Sequence, residues 1–248
     1  MLGTGDKKPQ IVDALFLSDI HIGSKGCNSK KALQVLKMYE PKKLFLVGDI
    51  IDGWLLKKRI YWNQDYINLI RKILSYSKNG VKVHYITGNH DEFLRNYSPL
   101  ELGENVQIID EVIWNGYWIT HGDKYDGVVN LKWLGHLGSW GYELAIWIDR
   151  TLKKFGYKKS LSKYLKNKVK DAVKFITNFE TQLAYQAKKR GCNGVIAGHI
   201  HTPADKFIED IHYLNCGDWI ENNSYIIYKD KKFTISFKEI NDLNQKIN

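Results

Sequence analysis

The chain has 248 residues, of which 44% are hydrophobic, so it can bury a substantial core and is not globally disordered. Its net charge of +10 favours anionic partners, namely phosphorylated substrates, acidic lipid or nucleic acid, without choosing among them. Three scattered cysteines, Cys27, Cys192 and Cys216, exclude a disulfide framework and a Cys-x-x-Cys zinc site, and they indicate a reducing compartment.

No targeting or membrane-spanning segment is predicted. Residues 1–10 are polar and lack the apolar stretch of a signal peptide. The most apolar segment, residues 131–148, carries Lys132, His136 and Glu143, which are costly at the centre of a bilayer. We therefore expect a cytoplasmic protein whose contact with the inner membrane, if it has one, is peripheral.

Short apolar and β-branched runs alternate with helical patterns in the first half of the chain. This alternation predicts an α/β fold with helices covering a sheet. Two hairpins near the C-terminus, the second turning at residues 229–231, indicate a second sheet packed on the first. The predicted strands are residues 11–18, 43–47, 82–87, 106–110, 112–120, 194–197, 207–209, 211–215, 224–228 and 232–237, and the first helices are residues 29–39 and 66–79.

Residues 126–190 differ in composition and predict a helical cap inserted into one domain that spans residues 1–248. Trp133, Trp140 and Trp147 recur every seven residues, which on a helix gives a drifting stripe. The simplest role of this tryptophan stripe is packing within the cap, and the alternative is an apolar surface that binds an acyl chain. Residues 153–174 carry nine lysines, and apolar spacing predicts one amphipathic helix over residues 161–190.

Five short motifs follow predicted strands, at the carboxyl ends where crevices form in open α/β sheets. Together they supply aspartates, an asparagine and histidines that are suited to holding a pair of metal ions. The motifs are Asp19-Ile20-His21, Gly48-Asp49-Ile50-Ile51-Asp52, Gly88-Asn89-His90-Asp91, His121-Gly122-Asp123 and Gly198-His199-Ile200-His201.

Two metal ions about 3.5–4 Å apart generate a nucleophile from water and neutralise charge at phosphorus, which is what hydrolysis of a phosphoester needs. Alternate residues of an extended segment point the same way, so Asp-x-His and His-x-His can each offer two ligands. The mixed nitrogen and oxygen set suits manganese, iron or zinc better than calcium. We assign Asp19, His21 and His201 to one ion, Asn89, His121 and His199 to the other, and Asp49 to both as the bridge.

His90 follows a ligand and is expected to point into the cleft without binding metal. We assign it the protonation of the leaving oxygen or the stabilisation of phosphoryl charge. Asp52 is its expected orienting partner, and Asp91 competes for that role. Asp123 is expected to support the loop after His121.

Arg95 and Asn96 follow the third motif and are weak candidates for substrate binding.

The motif series resembles the calcineurin-like metallophosphoesterases, from about residue 11 to the hairpins near residue 237. The resemblance implies a four-layer α/β-β/α sandwich, a dinuclear centre with the ligands assigned above, and an Asp52–His90 acid pair. Within this superfamily the chain is most similar to UDP-2,3-diacylglucosamine pyrophosphatases, through His121-Gly122-Asp123, the insertion, Gly198-His199-Ile200-His201-Thr202-Pro203 and Asn215-Cys216-Gly217-Asp218-Trp219.

That resemblance implies cleavage of UDP-2,3-diacylglucosamine to UMP and 2,3-diacylglucosamine 1-phosphate in lipid A synthesis. Manganese is the usual metal of such enzymes, and their substrate is a lipid-linked nucleotide reached at an anionic membrane surface. The chain departs from the well-known branch, which carries Arg in place of His90 and Glu in place of Asp52.

Two alternatives remain open from the sequence. One is a general phosphodiesterase or phosphatase of another substrate, against which the long basic and aromatic insertion argues. The other is a non-catalytic scaffold or nucleic-acid binder, against which the filling of every expected ligand position argues.

Overall fold

A computed structural model describes residues 8–58, 61–125 and 161–237, with side chains from residue 173 onward in the last range. Its first sheet has seven strands in the order β12-β11-β1-β2-β3-β5-β4. Strands β1, β2, β3 and β5 are parallel, and β4, β11 and β12 pair antiparallel at the edges. The strands are β1 Gln10–Leu17, β2 Tyr39–Val47, β3 Lys82–Ile86, β4 Leu100–Leu102, β5 Val106–Ile109, β11 Ser224–Lys229 and β12 Lys232–Phe237.

The second sheet has five strands in the order β6-β7-β8-β10-β9. Its three inner strands run parallel, while β6 and β9 are antiparallel edges. The strands are β6 Glu111–Trp114, β7 Tyr117–Thr120, β8 Gly194–Ala197, β9 Ala204–Ile208 and β10 Ile211–Asn215.

Strand alternation builds two cores. Leu44 and Leu46 of β2 belong to a core with residues of the helices, such as Val35 and Leu69. Phe45 and Val47 point the other way, into a core with residues of the second sheet. The result is the predicted α/β sandwich of two mixed sheets with helices outside. Of the two hairpins expected to form the second sheet, only β9–β10 does so, because β11 pairs with β1 and adds β11–β12 to the first sheet.

The helices are α1 Ser29–Met38, α2 Gly53–Lys58, α3 Gln64–Lys78 and α4 Leu161–Lys189. Asn63 caps α3 by accepting a hydrogen bond from the backbone N–H of Tyr66, as expected at a helix N-terminus. Helices α1, α3 and α4 confirm the predicted ones. Helix α2, strand β4 and a 3₁₀ helix at Glu92–Tyr97 were not predicted, because each is too short to show a period.

The prediction of one strand over residues 112–120 was wrong. The chain turns at Asn115 and Gly116, whose φ values are +52° and +76°, and this turn separates β6 from β7. Asn-Gly is a strong signal for a two-residue hairpin, and it outweighs the continuous β-branched and aromatic pattern around it. The split leaves β7 as the short parallel strand that ends before His121.

The chain divides into two compact units, residues Met1–Asp123 with Ala184–Asn248, and residues Lys124–Leu183. The predicted tryptophan stripe lies outside the described residues, so the cap at 126–190 stays a prediction apart from its final helix. None of the helices in the described ranges is both long enough and apolar enough to cross a membrane.

Candidate metal centre

All five motifs lie immediately after parallel strands of the first compact unit. Strands β1, β2 and β3 of the first sheet lead into Asp19 with His21, Asp49 and Asn89. Strands β7 and β8 of the second sheet lead into His121 and His199 with His201. The two sheets therefore contribute donors to one place, at the carboxyl ends of their parallel strands.

Tight backbone geometry aims these side chains. Asp19, His21, Asp49, His199 and His201 have φ values of +52°, +53°, +53°, +72° and +55°. Residues other than glycine adopt this left-handed region rarely, and such residues cluster at functional sites. The first two motifs are also joined directly, since the Asp19 and His21 amides donate to the carbonyls of Gly48 and Asp49 at 3.0 and 2.9 Å.

Asp19, His21 and His201 form one group whose donor atoms lie within 4.8 Å of one another. Nε2 of His201 is 3.1 Å from Oδ1 of Asp19 and 3.4 Å from Nε2 of His21. Two imidazole nitrogens and a carboxylate oxygen thus face a common point.

Asp19 also belongs to a second group with Asp49 and His121. Nδ1 of His121 lies 2.9 Å from the carbonyl oxygen of Val47, which can only accept, so Nδ1 carries the proton. Nε2 is therefore the nitrogen with the lone pair whenever the ring is neutral, and it faces Oδ2 of Asp49 at 3.4 Å. This is the tautomer that a metal ligand requires.

Asn89 and His199 are placed beside these groups by their neighbours. The amide of His90 donates to Oδ1 of Asp49 at 2.7 Å, which holds the Asn89–His90 segment against Asp49. The amide of His199 donates to Oδ2 of Asp19 at 3.0 Å, and its ring centroid is 5.2 Å from that of His121.

Three buried acceptor atoms test whether the site fits a cation. Within the described part of the chain, Oδ1 of Asp19, Oδ1 of Asn89 and Nε2 of His121 have no hydrogen-bond partner. Nε2 of His201 approaches Asp19 to 3.1 Å without hydrogen-bond geometry. Buried polar atoms without a partner are destabilising, and cations bound at the two groups of donors would remove that cost. The donors fit a divalent metal.

The charges at the site favour ligand carboxylates in their ionised form. Burial opposes ionisation of Asp19, but the charges of His201 and His121 outweigh it and lower its pKa to about 2. Burial also opposes ionisation of Asp49, but the charges of His121 and His21 outweigh it and lower the pKa of Asp49. Burial likewise opposes protonation of His121, yet Asp49 and Asp19 raise its pKa to about 10. Without a cation, the histidines thus carry the charge that compensates the carboxylates.

Two motif glycines are required because neighbouring residues lie too close to leave room for a side chain. A Cβ at Gly48, whose φ is +79°, would overlap the ring of His121. A Cβ at Gly88 would overlap both Oδ1 and the backbone nitrogen of Asp49. The glycines therefore let the loops of three motifs approach one another.

His90 lies at the same site and forms a third group with His21 and Asp49. Its Nδ1 is 3.1 Å from Oδ1 of Asp52, and its ring centroid is 4.2 Å from that of Trp54. Burial opposes ionisation of Asp52, but hydrogen bonds with His21 and His90 outweigh it and lower the pKa of Asp52. An anionic carboxylate at this distance can orient the imidazole.

Asp91, the competing partner for His90, is engaged elsewhere. Its Oδ2 accepts from the amide of Ile50 at 3.0 Å and from the hydroxyl of Tyr85 at 2.6 Å. Its Oδ1 accepts from the amide of Gly88 at 2.5 Å. Asp91 therefore braces the second and third motif loops, and Asp52 is the carboxylate that faces His90.

Arg95 forms a bidentate pair with Asp123, at 2.9 and 2.8 Å. It also donates to the hydroxyl and the carbonyl oxygen of Thr87. The arginine therefore ties the loop after β3 to the loop after β7, which fits the support role expected of Asp123. Asn96 lies exposed in the 3₁₀ helix, and substrate binding by Arg95 or Asn96 stays a prediction.

Two residues at the site were not singled out from the sequence. The hydroxyl of Ser18 lies within hydrogen-bonding distance of Oδ2 of Asp19 and of the Val47 carbonyl oxygen. Trp54 packs on His90 and donates to Glu92 at 3.3 Å. Their adjacency to Asp19 and Asp52 was the only available signal, because a serine or tryptophan by itself indicates no chemistry.

Comparison with known proteins agrees with this geometry. The family model described as calcineurin-like phosphoesterase matches residues 13–203. A protein of Porphyromonas gingivalis named UDP-2,3-diacylglucosamine hydrolase is 25% identical, over 86% of this chain and 92% of that protein. A protein of the same name from Aliivibrio fischeri is 23% identical, over 91% of this chain and 98% of its own length.

Among solved structures, a phosphoesterase from E. coli matches with a TM-score of 0.47 and 13% identity, over 91% of this chain and 96% of that chain. The family model spans most of the sequence, including all five motifs. Its match coincides with a cluster of aspartate and histidine donors fitted to a divalent cation. The chain belongs to the calcineurin-like phosphoesterase family and is a metal-dependent phosphoester hydrolase.

Proposed function

We propose that the protein cleaves the pyrophosphate of UDP-2,3-diacylglucosamine, releasing UMP and 2,3-diacylglucosamine 1-phosphate in lipid A synthesis. The observation that carries this proposal is the combination of the histidine and aspartate cluster with relatives of that name along almost the whole chain. The net charge of +10 supports an anionic substrate.

The proposed ligands of the first ion are Asp19, His21 and His201, those of the second are Asn89, His121 and His199, and Asp49 bridges. Support comes from Oδ2 of Asp49, which lies 3.9 Å from Nε2 of His21 and 3.4 Å from Nε2 of His121. These residues would hold a pair of divalent ions, for which Mn²⁺ suits the donor set, and such ions would supply a nucleophile from water and neutralise phosphoryl charge.

His90 is the proposed general acid. Its Nδ1 faces Asp52, so a proton on Nε2 is directed toward the cleft, where it can be donated to the oxygen that leaves phosphorus. The Asp52 carboxylate holds the ring, and the face of Trp54 restricts its rotation. The side chain of His90 is 22% exposed, which gives a substrate access to it.

A lipid-linked substrate also requires apolar surface near the site. Leu55 and Phe93, on the segments that carry Trp54 and His90, are 41% and 38% exposed. Tyr61 and Trp62 are 36% and 39% exposed, and Lys25 lies over the Tyr61 ring. Exposed aromatics beside lysine are suited to a membrane interface, so peripheral binding to anionic lipid is part of the proposal.

A substrate panel tests the proposal. Purified protein with Mn²⁺ should release UMP from UDP-2,3-diacylglucosamine, measured by chromatography, with kcat/KM at least tenfold above that for bis-4-nitrophenyl phosphate or a cyclic nucleotide. UDP-N-acetylglucosamine, which has the same pyrophosphate but lacks the two long acyl chains, is the matched control.

Faster hydrolysis of the small diesters, with no UMP from the lipid substrate, would instead identify a general phosphodiesterase. Absence of hydrolysis of every compound at full metal occupancy would identify a scaffold. Peripheral binding to anionic lipid is tested by cosedimentation with vesicles at low salt. The protein should sediment with phosphatidylglycerol vesicles and should stay in solution with phosphatidylcholine vesicles.

A further inference from the structure

The segment of residues 215–222, which connects β10 to β11, touches the metal site at several points although it contains no proposed ligand. The side-chain amide of Asn215 donates to the carbonyl oxygen of Gly198 at 2.8 Å. The amide of Trp219 donates to the carbonyl oxygen of Asp19 at 3.1 Å. This segment thus contacts the backbones of both the first and the last motif.

Asp218 is the charged centre of the segment and is fully buried. Its Oδ1 accepts from the amides of Ile220, Glu221 and Asn222 at 2.7, 2.6 and 3.2 Å. Its Oδ2 accepts one hydrogen bond from the same segment, from the side-chain amide of Asn222 at 2.8 Å. The second lone pair of Oδ2 is therefore available to another donor.

The ring of His201 faces this lone pair, at a distance longer than a direct hydrogen bond. Its Nδ1 lies 3.7 Å from Oδ2 of Asp218, while its Nε2 faces Asp19 and His21 on the metal side. Asn222 also donates to the carbonyl oxygen of His201 at 2.7 Å. The same amide thus bridges the backbone of His201 and the carboxylate that faces its ring.

We propose that Asp218, braced by Asn222, is the positioning residue that orients His201 for metal binding. The inference rests on the proposed role of His201 as a ligand. With its Nδ1 proton directed at the carboxylate, the ring presents the Nε2 lone pair to the ion and becomes a stronger donor. Asn222 holds the backbone of His201 at its left-handed φ of +55°.

A purely structural role for Asp218, as the cap of its own turn, is the competing explanation. A double-mutant cycle separates the two, because a residue that acts through His201 has no effect once that imidazole is gone. The readout is Mn²⁺ affinity of the full-length metal-free protein by titration calorimetry, so no substrate is involved. The variants are Asp218→Asn, His201→Ala and the double variant, with Asn222→Ala as a milder probe.

We expect Asp218→Asn to weaken one of the two Mn²⁺ sites about 10–100-fold, the range found for partners of metal-ligating histidines. In the His201→Ala background the same change should cause less than a threefold further loss. Asn222→Ala should weaken the same site by a smaller factor than Asp218→Asn does. Glu221→Gln, an exposed neighbour on the same turn, should leave Mn²⁺ affinity unchanged.

An equal loss from Asp218→Asn with and without His201 would overturn the inference, as would unchanged Mn²⁺ affinity in Asp218→Asn. If Asp218→Asn does not fold, unchanged Mn²⁺ affinity in Asn222→Ala would overturn the inference in its place. Failure of the wild-type protein to bind Mn²⁺, or binding without UMP release, would count against the proposed function instead.

Discussion

The imidazoles at the site are fixed through one ring nitrogen, which decides the task of the other. Val47 holds Nδ1 of His121, and Nε2 is then directed at Asp49 inside the buried cluster. Asp52 faces Nδ1 of His90 in the same way, but the His90 side chain remains partly exposed. The 22% exposure of the His90 side chain lets it reach substrate, whereas the fully buried His121 can reach only the cluster.

Replacing His90 with alanine should reduce kcat by about 10²–10⁴-fold, because it removes the proton donor for the leaving oxygen. Mn²⁺ stoichiometry, measured by elemental analysis, should remain that of the wild type. The loss should be larger for an alkyl leaving group than for 4-nitrophenolate, which departs without protonation. Full turnover with an alkyl leaving group would refute the role of His90.

Asp49→Ala should abolish binding of both ions, because Asp49 lies between the two sets of donors. Calorimetric titration of the metal-free variant with Mn²⁺ provides the measurement. Asp13→Ala, which removes an exposed carboxylate paired with Lys42, is the control and should bind normally. Two bound ions in Asp49→Ala would exclude the bridging assignment.

At the scale of elements, the site depends on how closely the loops after neighbouring strands approach. Gly48 follows β2 and lies against the ring of His121, which follows β7 of the other sheet. Gly80, in the turn before β3, has a similar φ of +85° but open space around it. The two glycines thus share a backbone conformation and differ in what a side chain would meet.

Gly80→Ala should lose stability by roughly 1–2 kcal/mol, because it forces alanine into the left-handed region. Gly48→Ala should lose more, because its methyl group would also overlap the ring of His121. Only Gly48→Ala should also lose metal, since its methyl group displaces His121. Urea unfolding of the metal-free variants and Mn²⁺ titration separate these effects. Equal metal affinities in the two variants would show that the contact with His121 is unimportant.

On the scale of the whole molecule, the ligands proposed for the two ions come from both sheets. The first sheet carries Asp19, His21, Asp49 and Asn89, and the second carries His121, His199 and His201. The sheets are otherwise joined by an apolar core that includes Phe16, Phe45, Ile119 and Ile196. A bound cation therefore adds a second connection between them.

Removal of metal should lower the melting temperature. At a Mn²⁺ concentration 100 times Kd, binding stabilises the native state by about 2.7 kcal/mol per site. For a chain of this length that corresponds to about 5–10 °C, measured by calorimetry before and after treatment with EDTA. The matched control is Asp49→Ala, whose melting temperature EDTA should leave unchanged.

Alkaline pH should destabilise the fold through two titratable groups, the Cys27 thiol and the Tyr66 hydroxyl of α3. Burial raises the pKa of the Cys27 thiol to about 12 and that of Tyr66 to about 12, whereas the unfolded values are about 8.5 and 10. The folded state binds these protons more tightly. Their contribution is therefore complete below about pH 8.5 and is lost as pH rises toward 12.

Urea unfolding at several pH values between 8 and 11 measures this loss. Cys27→Ala should show a shallower decline than the wild type, because one of the titrating groups is absent. Cys192→Ala provides a second cysteine variant for comparison. A wild-type unfolding free energy that is constant or rising across this window would contradict the prediction.

Local sequence patterns predicted most of the strands, three of the helices and the metal donors. Short apolar and β-branched runs located β1, β2, β3, β8 and the C-terminal hairpins, because a strand buried on both faces is apolar along its length. The chemistry of aspartate, asparagine and histidine at strand ends indicated a metal site before any geometry was known. These are local properties, which a chain displays without knowledge of its fold.

Tertiary structure decided which of those residues face one another. From the sequence, Asp52 is the expected partner of His90 and Asp91 competes with it. The hydrogen bonds of Asp91 to Ile50 and Tyr85 show that Asp91 is engaged elsewhere. The approach of Asp218 to His201 joins the turn after β10 to the last motif in the same way. Such contacts depend on strand order and sheet packing, which bring together side chains that no local pattern relates.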